Sequence, residues 1–124
     1  MQSPLAAPSL RHVHHLGLSA ADPEGSLAFY RDVLGFTPLP QPAPHGPREL
    51  VHGDVHLAVS ALAPHEHAPS ARPRGDHFAL GVEASVEDTA AWLSSRGVEH
   101  QRAPGRIYLR DPDGYVIELV CAAP

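Results

Sequence analysis

The stretch HLGLSAADPEGSLAFYRDVLGF, residues 15–36, reads as a strand, a turn and a helix. His15–Ala20 is short and mostly apolar. "DPEGS" carries the chemistry of a helix start, with Asp, Ser, Pro and an acidic residue near the positive end of the helix dipole. Leu27, Tyr30 and Leu34 then follow the 3.6-residue period, with Arg31 as a polar exception, and Gly35 stops the helix. The same plan returns in HFALGVEASVEDTAAWLSSRGVE, residues 77–99. A constant offset of 62 residues takes His15 to His77, Leu18 to Leu80, Tyr30 to Trp92, Gly35 to Gly97 and Phe36 to Val98, with no gap. In the second copy "SVEDT" starts the helix, and Ala90, Leu93 and Val98 mark its apolar side.

Further strands are expected after each helix: Phe36–Leu39, Glu49–His52 and Val55–Ser60 in the first copy, and Glu99–Arg102, Ile107–Arg110 and Tyr115–Val120 in the second. The fold class is therefore α+β, built from two paired βαβββ modules. A flexible 1–10 precedes a first module over 11–62, a Pro-rich linker over 63–75 and a second module over 76–121. A repeat this long means two units that pack on each other, because neither closes a core alone. One helix covers one face of each sheet and leaves the other face curved around a cleft.

The bulk numbers suit one soluble domain. Of 124 residues, 43% are hydrophobic and 19% charged. A net charge of −5 gives no basic footprint for nucleic acid. No apolar run approaches the roughly 20 residues of a membrane span. The start, MQSPLAAPSLR, lacks the charged head and apolar core of a secretory signal, and a single cysteine, Cys121, forms no intrachain disulfide. A cytoplasmic protein is expected. The 14 prolines cluster in 38–47 and 64–73, which read as loops. The 10 histidines carry little information as a type, so position has to decide.

The last stretch, RDPDGYVIELV (110–120), puts a carboxylate in an apolar strand. Ile117 and Leu119 share the face that packs under the helix, and Glu118 points into the cleft. A buried carboxylate needs a cationic or metal partner. Overlaying Leu57–Val59 on Ile117–Leu119 puts Ala58 at the position of Glu118 and His56 on the same face. His15 and His77 start equivalent strands that a pseudo-twofold axis brings together. His15, His77 and Glu118 are thus candidate ligands for a divalent metal, in the two-histidine, one-carboxylate arrangement that leaves coordination positions open.

At these residues the sequence resembles the vicinal oxygen chelate superfamily of glyoxalases, bleomycin-resistance proteins and extradiol dioxygenases. The stretches HHLGLSAADPEGSLAFYRDVLGF, GDHFALGVE and YLRDPDGYVIELV carry the resemblance, which runs from about Val13 to Val120. It implies the paired βαβββ fold and places metal ligands on His15, His77 and Glu118. The fourth ligand of glyoxalase I would fall on Ala58, which cannot bind a cation, so the chain is similar to the three-ligand members: extradiol dioxygenases and fosfomycin thiol transferases. Tyr108, ten residues before Glu118, matches a tyrosine that faces the metal in both groups. Gly17 and His56 stand where fosfomycin enzymes carry a substrate-contacting Thr and a pocket Trp, which argues against fosfomycin as substrate.

The resemblance implies an enzyme that binds a small oxygen-rich molecule through two adjacent oxygens to Fe(II), Mn(II), Zn(II) or Ni(II). An extradiol-dioxygenase-like site is favoured, with Tyr108 and His56 as catalytic candidates. His65 and His67, on the Pro-rich loop, are further proton-donor candidates that read more simply as surface residues. Isomerase, lyase or thiol-transferase chemistry is the alternative, as is a bleomycin-resistance-type protein that sequesters a drug without catalysis. A homodimer is expected in which His15 comes from one chain and His77 and Glu118 from the other.

Overall fold

A computed structural model describes residues 6–41, 43, 44, 46–66, 73 and 75–123. The first module contains β1 (Leu16–Ala20), α1 (Pro23–Asp32), β2 (Thr37–Pro38), β3 (Arg48–His52) and β4 (Val55–Ala61). The second contains β5 (His77–Gly81), α2 (Val86–Ser95), β6 (His100–Ala103), β7 (Arg106–Arg110) and β8 (Val116–Val120). The sheets have the same strand order, β1-β4-β3-β2 and β5-β8-β7-β6. In each, the strand before the helix runs parallel to the last strand of its module, and the other pairings are antiparallel.

The register keeps the internal equivalence. Gly17 pairs with Ala58 as Ala79 pairs with Glu118. Alternation then sends Leu18, Ala20, Leu57 and Val59 beneath α1, and Ile107, Leu109, Ile117 and Leu119 beneath α2. These residues, with Leu27, Tyr30, Phe36, Leu50, Ala90 and Leu93, form one continuous core through both modules.

Both helices end as the repeat requires. Gly35 and Gly97 have φ of 73° and 70°, in the left-handed region that glycine enters without a Cβ penalty. The starts differ. Ser85 Oγ accepts from Asp88 N at 3.1 Å, whereas Asp22 makes no side-chain cap and α1 relies on Pro23 and Glu24 in its first turn. The strand expected over Phe36–Leu39 shrinks to two residues. Phe36 N is taken by Tyr30 O at the helix end, which delays the strand to Thr37, and Phe36 is a buried plug, in edge contact with the Tyr30 ring. The strand expected from Tyr115 starts one residue later, because Tyr115 N donates to Asp111 Oδ1 within the preceding turn. The expected linker over 63–75 and flexible segment over 1–10 lie partly outside the described residues, and His67 lies wholly outside them.

The turn between β7 and β8 joins the modules. Tyr30 Oη donates to Asp111 Oδ2 at 2.7 Å, Ala21 N to Asp113 Oδ1 at 2.8 Å, and Ser19 N to Tyr115 Oη at 3.0 Å. Asp111 Oδ1 also accepts from Asp113 N and Tyr115 N, so the turn is rigid before it docks. Trp92 Nε1 adds a bond to Val33 O at 2.8 Å. The repeat-equivalent pair Tyr30 and Trp92 thus works on both sides of the joint, Tyr30 fully buried and Trp92 45% exposed.

Candidate functional site

β5, β7 and β8 bring three of the five expected site residues together. Tyr108 pairs directly with Glu118, and His77 sits at the start of β5, on the other side of β8. His77 Nε2 lies 2.8 Å from Glu118 Oε1. The His77 and Tyr108 rings meet edge to face with centroids 5.9 Å apart. The Tyr108 hydroxyl hydrogen-bonds the same carboxylate. With its side chain only 4% exposed, Glu118 is the most deeply placed charge on this face.

A fourth residue completes the cluster, and the sequence reading passed over it. Arg106 Nη1 donates to Glu118 Oε2 at 2.7 Å. The tight turn at Pro104–Gly105 starts β7 at Arg106, which pairs with Val120 and so shares a face with Tyr108 and Glu118. Strand alternation was the signal available: residues 106 and 108 are two apart, so a strand carried one residue back from Ile107 puts both on one face. Burial pushes the Glu118 pKa up. The hydrogen bond from Tyr108, the charge and hydrogen bond of Arg106 and the charge of His77 outweigh it, and the carboxyl is held below its ordinary range.

His15 and His56 fall on the first module. His15 immediately precedes β1 and is exposed. Its ring lies 6.1 Å from that of His56, centroid to centroid, and its Nδ1 shares a 2.9 Å hydrogen bond with His14 Nδ1. His56 Nε2 is 3.0 Å from Glu49 Oε1, and Glu49 pairs across the ladder with Ala58. His14 and Glu49 were also absent from the sequence reading, although the register of β3 on β4 implies the second. Among the described residues, no three His, Cys, Asp or Glu side chains converge on one point within the chain. The chain therefore carries two half-clusters: His14, His15, His56 and Glu49 on one sheet, and His77, Tyr108, Glu118 and Arg106 on the other. An open cleft of about 1070 Å³ touches the second only at Tyr108; its walls are the end of α2 and the start of β6, with Phe29 from the first module, and His77, Glu118 and Arg106 do not line it.

Two four-stranded sheets of this order, each with one helix, and a turn of this sequence define a family. The chain belongs to the glyoxalase/bleomycin resistance protein/dioxygenase superfamily, whose family model matches residues 12–119. Among solved structures, it is similar to a protein from the mobile metagenome of V. pseudocholerae: 24% identity, TM-score 0.75, covering 96% of this chain and all of that one. It is also similar to an antibiotic binding protein, TnmS3, from a Streptomyces species: 26% identity, TM-score 0.69, covering 94% of this chain and all of the other. A fosfomycin resistance protein, FosX, from Listeria monocytogenes matches at 15% identity and TM-score 0.69 over 94% of each chain. Among the described residues no helix is long and apolar enough to cross a membrane.

Proposed function

We propose that the chain is a metal-dependent enzyme acting on a small oxygen-rich molecule that presents two adjacent oxygens to a divalent cation. The reading rests on one observation: His77 Nε2 and Glu118 Oε1 stand 2.8 Å apart on the open face of the second sheet. Bonds of roughly 2.0–2.2 Å at right angles place neighbouring ligands of a cation about 3 Å apart. A protonated pair at the same separation is an ordinary hydrogen bond, so little rearrangement separates the two states. Arg106 on the other carboxylate oxygen is the outer partner that ligating carboxylates commonly have.

The third ligand is His15 of a second copy in a homodimer, because the half-clusters of one chain sit on different sheets. A His/His/Glu set suits Fe(II), Mn(II), Zn(II) or Ni(II) and leaves positions for substrate, in the extradiol-dioxygenase manner. When bound, such a cation stabilises an enolate or other developing oxyanion. Around it, Tyr108 hydrogen-bonds substrate and helps hold Glu118 ionised. His56, oriented by Glu49, moves a proton at the substrate from the side of the first sheet. Elemental analysis of untagged protein tests this reading. Stoichiometric metal that is lost in His77→Ala supports it, and absence of metal after reconstitution with each of the four ions contradicts it.

A second reading has its own support. Arg106 already neutralises Glu118, so the buried carboxylate is stable without any cation. The similarity to an antibiotic binding protein points the same way, toward sequestration of a small molecule without chemistry. Ligand binding undiminished by a chelator, in protein that takes up no metal, would favour it.

A further inference from the structure

Arg106 does more on this face than satisfy Glu118. Its contact with the carboxylate uses Nη1, one end of a planar fork with five N–H donors. Its side chain is 52% exposed, against 4% for Glu118. The guanidinium therefore reaches from a buried anion out to solvent, on the same face as Tyr108. It lies one carboxylate width from Oε1, the oxygen that faces His77. A molecule whose oxygens meet the His77–Glu118 pair thus has a fixed cation within its own length.

Charge sets the sign of what that cation selects. A divalent ion with neutral histidines and one carboxylate leaves a net charge of about +1, and Arg106 raises it to about +2. The site then favours a chelating ligand with one more negative charge than two oxygens alone supply. A planar fork is also the donor geometry that matches carboxylate and phosphoryl oxygens.

We propose that Arg106 is a substrate-binding residue that receives an oxyanion, carboxylate or phosphoryl, carried by the same small molecule that chelates at His77 and Glu118. The proposal rests on the metal-dependent reading above and adds the substrate class: an anionic oxygen chelator rather than a neutral one.

Calorimetry with zinc-loaded protein tests it, with catechol, 3,4-dihydroxybenzoate and 3,4-dihydroxyphenylphosphonate as probes. Zinc is titrated first into wild type, Arg106→Gln and Arg106→Lys. Wild type is expected to bind at least one anionic probe about tenfold or more tighter than catechol, the size of a charge-assisted contact. The preferred probe distinguishes a carboxylate site from a phosphoryl site. Arg106→Gln is expected to bring the three probes close to one affinity, and Arg106→Lys to keep part of the preference, since it keeps the charge and loses the fork. Equal affinities in wild type, or a preference that survives in Arg106→Gln, overturn the proposal while leaving the metal reading intact. Wild type that takes up no zinc overturns both. Zinc binding lost in both Arg106 variants also overturns it, because Arg106 then acts only through Glu118.

Discussion

Glu118 occupies the centre of an otherwise apolar strand because three neighbours hold its charge: Arg106 and His77 at 2.7 and 2.8 Å, and the hydroxyl of Tyr108 with them, over a ladder pairing with Ala79 that adds no competing group. The need for a partner was legible from the sequence, since an ionised carboxylate between Ile117 and Leu119 is costly without one. Which partner was not, because arginine on a strand edge reads as an ordinary surface residue until the register is known. Tyr30 is a second case. Its place in the helix period marked it as core, but its hydroxyl partner, Asp111, lies 81 residues away, and nothing local encodes the pairing. Burial, and then the charge of Asp111, push the Tyr30 pKa well above the ordinary phenol range. A group whose pKa is raised by folding stabilises the fold fully below its unfolded value, and the contribution is lost as pH rises above that value. Stability is therefore expected to fall as pH rises above about 10, and Tyr30→Phe should flatten that fall. At pH 7 the same variant should lose about 1–3 kcal/mol, since it removes a buried bond to a carboxylate. Urea denaturation at pH 7 and at alkaline pH reads both effects. An unchanged alkaline slope in the variant would contradict the assignment.

At the scale of elements, the 62-residue offset carried most of the architecture. It fixed two strand–helix units and their glycine stops, and strand alternation between Ile117 and Leu119 supplied the face on which Glu118 lies. The local exceptions have local causes: Phe36 N is taken by Tyr30 O at the helix end, which delays β2 to Thr37, and the Asp111 turn takes Tyr115 out of β8. The two helix stops make a matched test. Gly35→Ala and Gly97→Ala each force an L residue to positive φ, at a cost of about 1–2 kcal/mol. An added Cβ at Gly97 meets nothing within 4 Å, whereas at Gly35 it meets the His52 ring at 3.4 Å. The contact at Gly35 is of ordinary van der Waals length, so both variants should lose similar stability by thermal denaturation, and a variant that loses none would contradict the left-handed stop at its site. Ser85→Ala should cost about 1 kcal/mol by removing the bond to Asp88 N, while Asp22→Ala should cost less, because Asp22 makes no equivalent bond.

For the whole molecule, the repeat accounts for why potential ligands occur on both sheets, and the joint at the Asp111–Tyr115 turn accounts for why one chain keeps them apart. That turn ties the second module to β1 and α1 of the first, while β1 and β5 each remain an edge of their sheet. From the sequence, His15, His77 and Glu118 are candidate ligands, and their sharing between two chains rests there on the family resemblance, since it depends on how the modules are joined rather than on any residue in the set. The central claim is that two chains share each site, and complementation tests it most directly. His15→Ala and His77→Ala proteins are prepared separately, each expected to bind little metal, then mixed under conditions that exchange subunits. In a symmetric dimer with shared sites, half of the molecules become heterodimers in which one of two sites is fully native, so metal binding should recover to about a quarter of the wild-type level. Recovery to that level is the result the account predicts. Metal binding that stays at the level of the separate variants, in a mixture shown by mass to contain heterodimers, would contradict it.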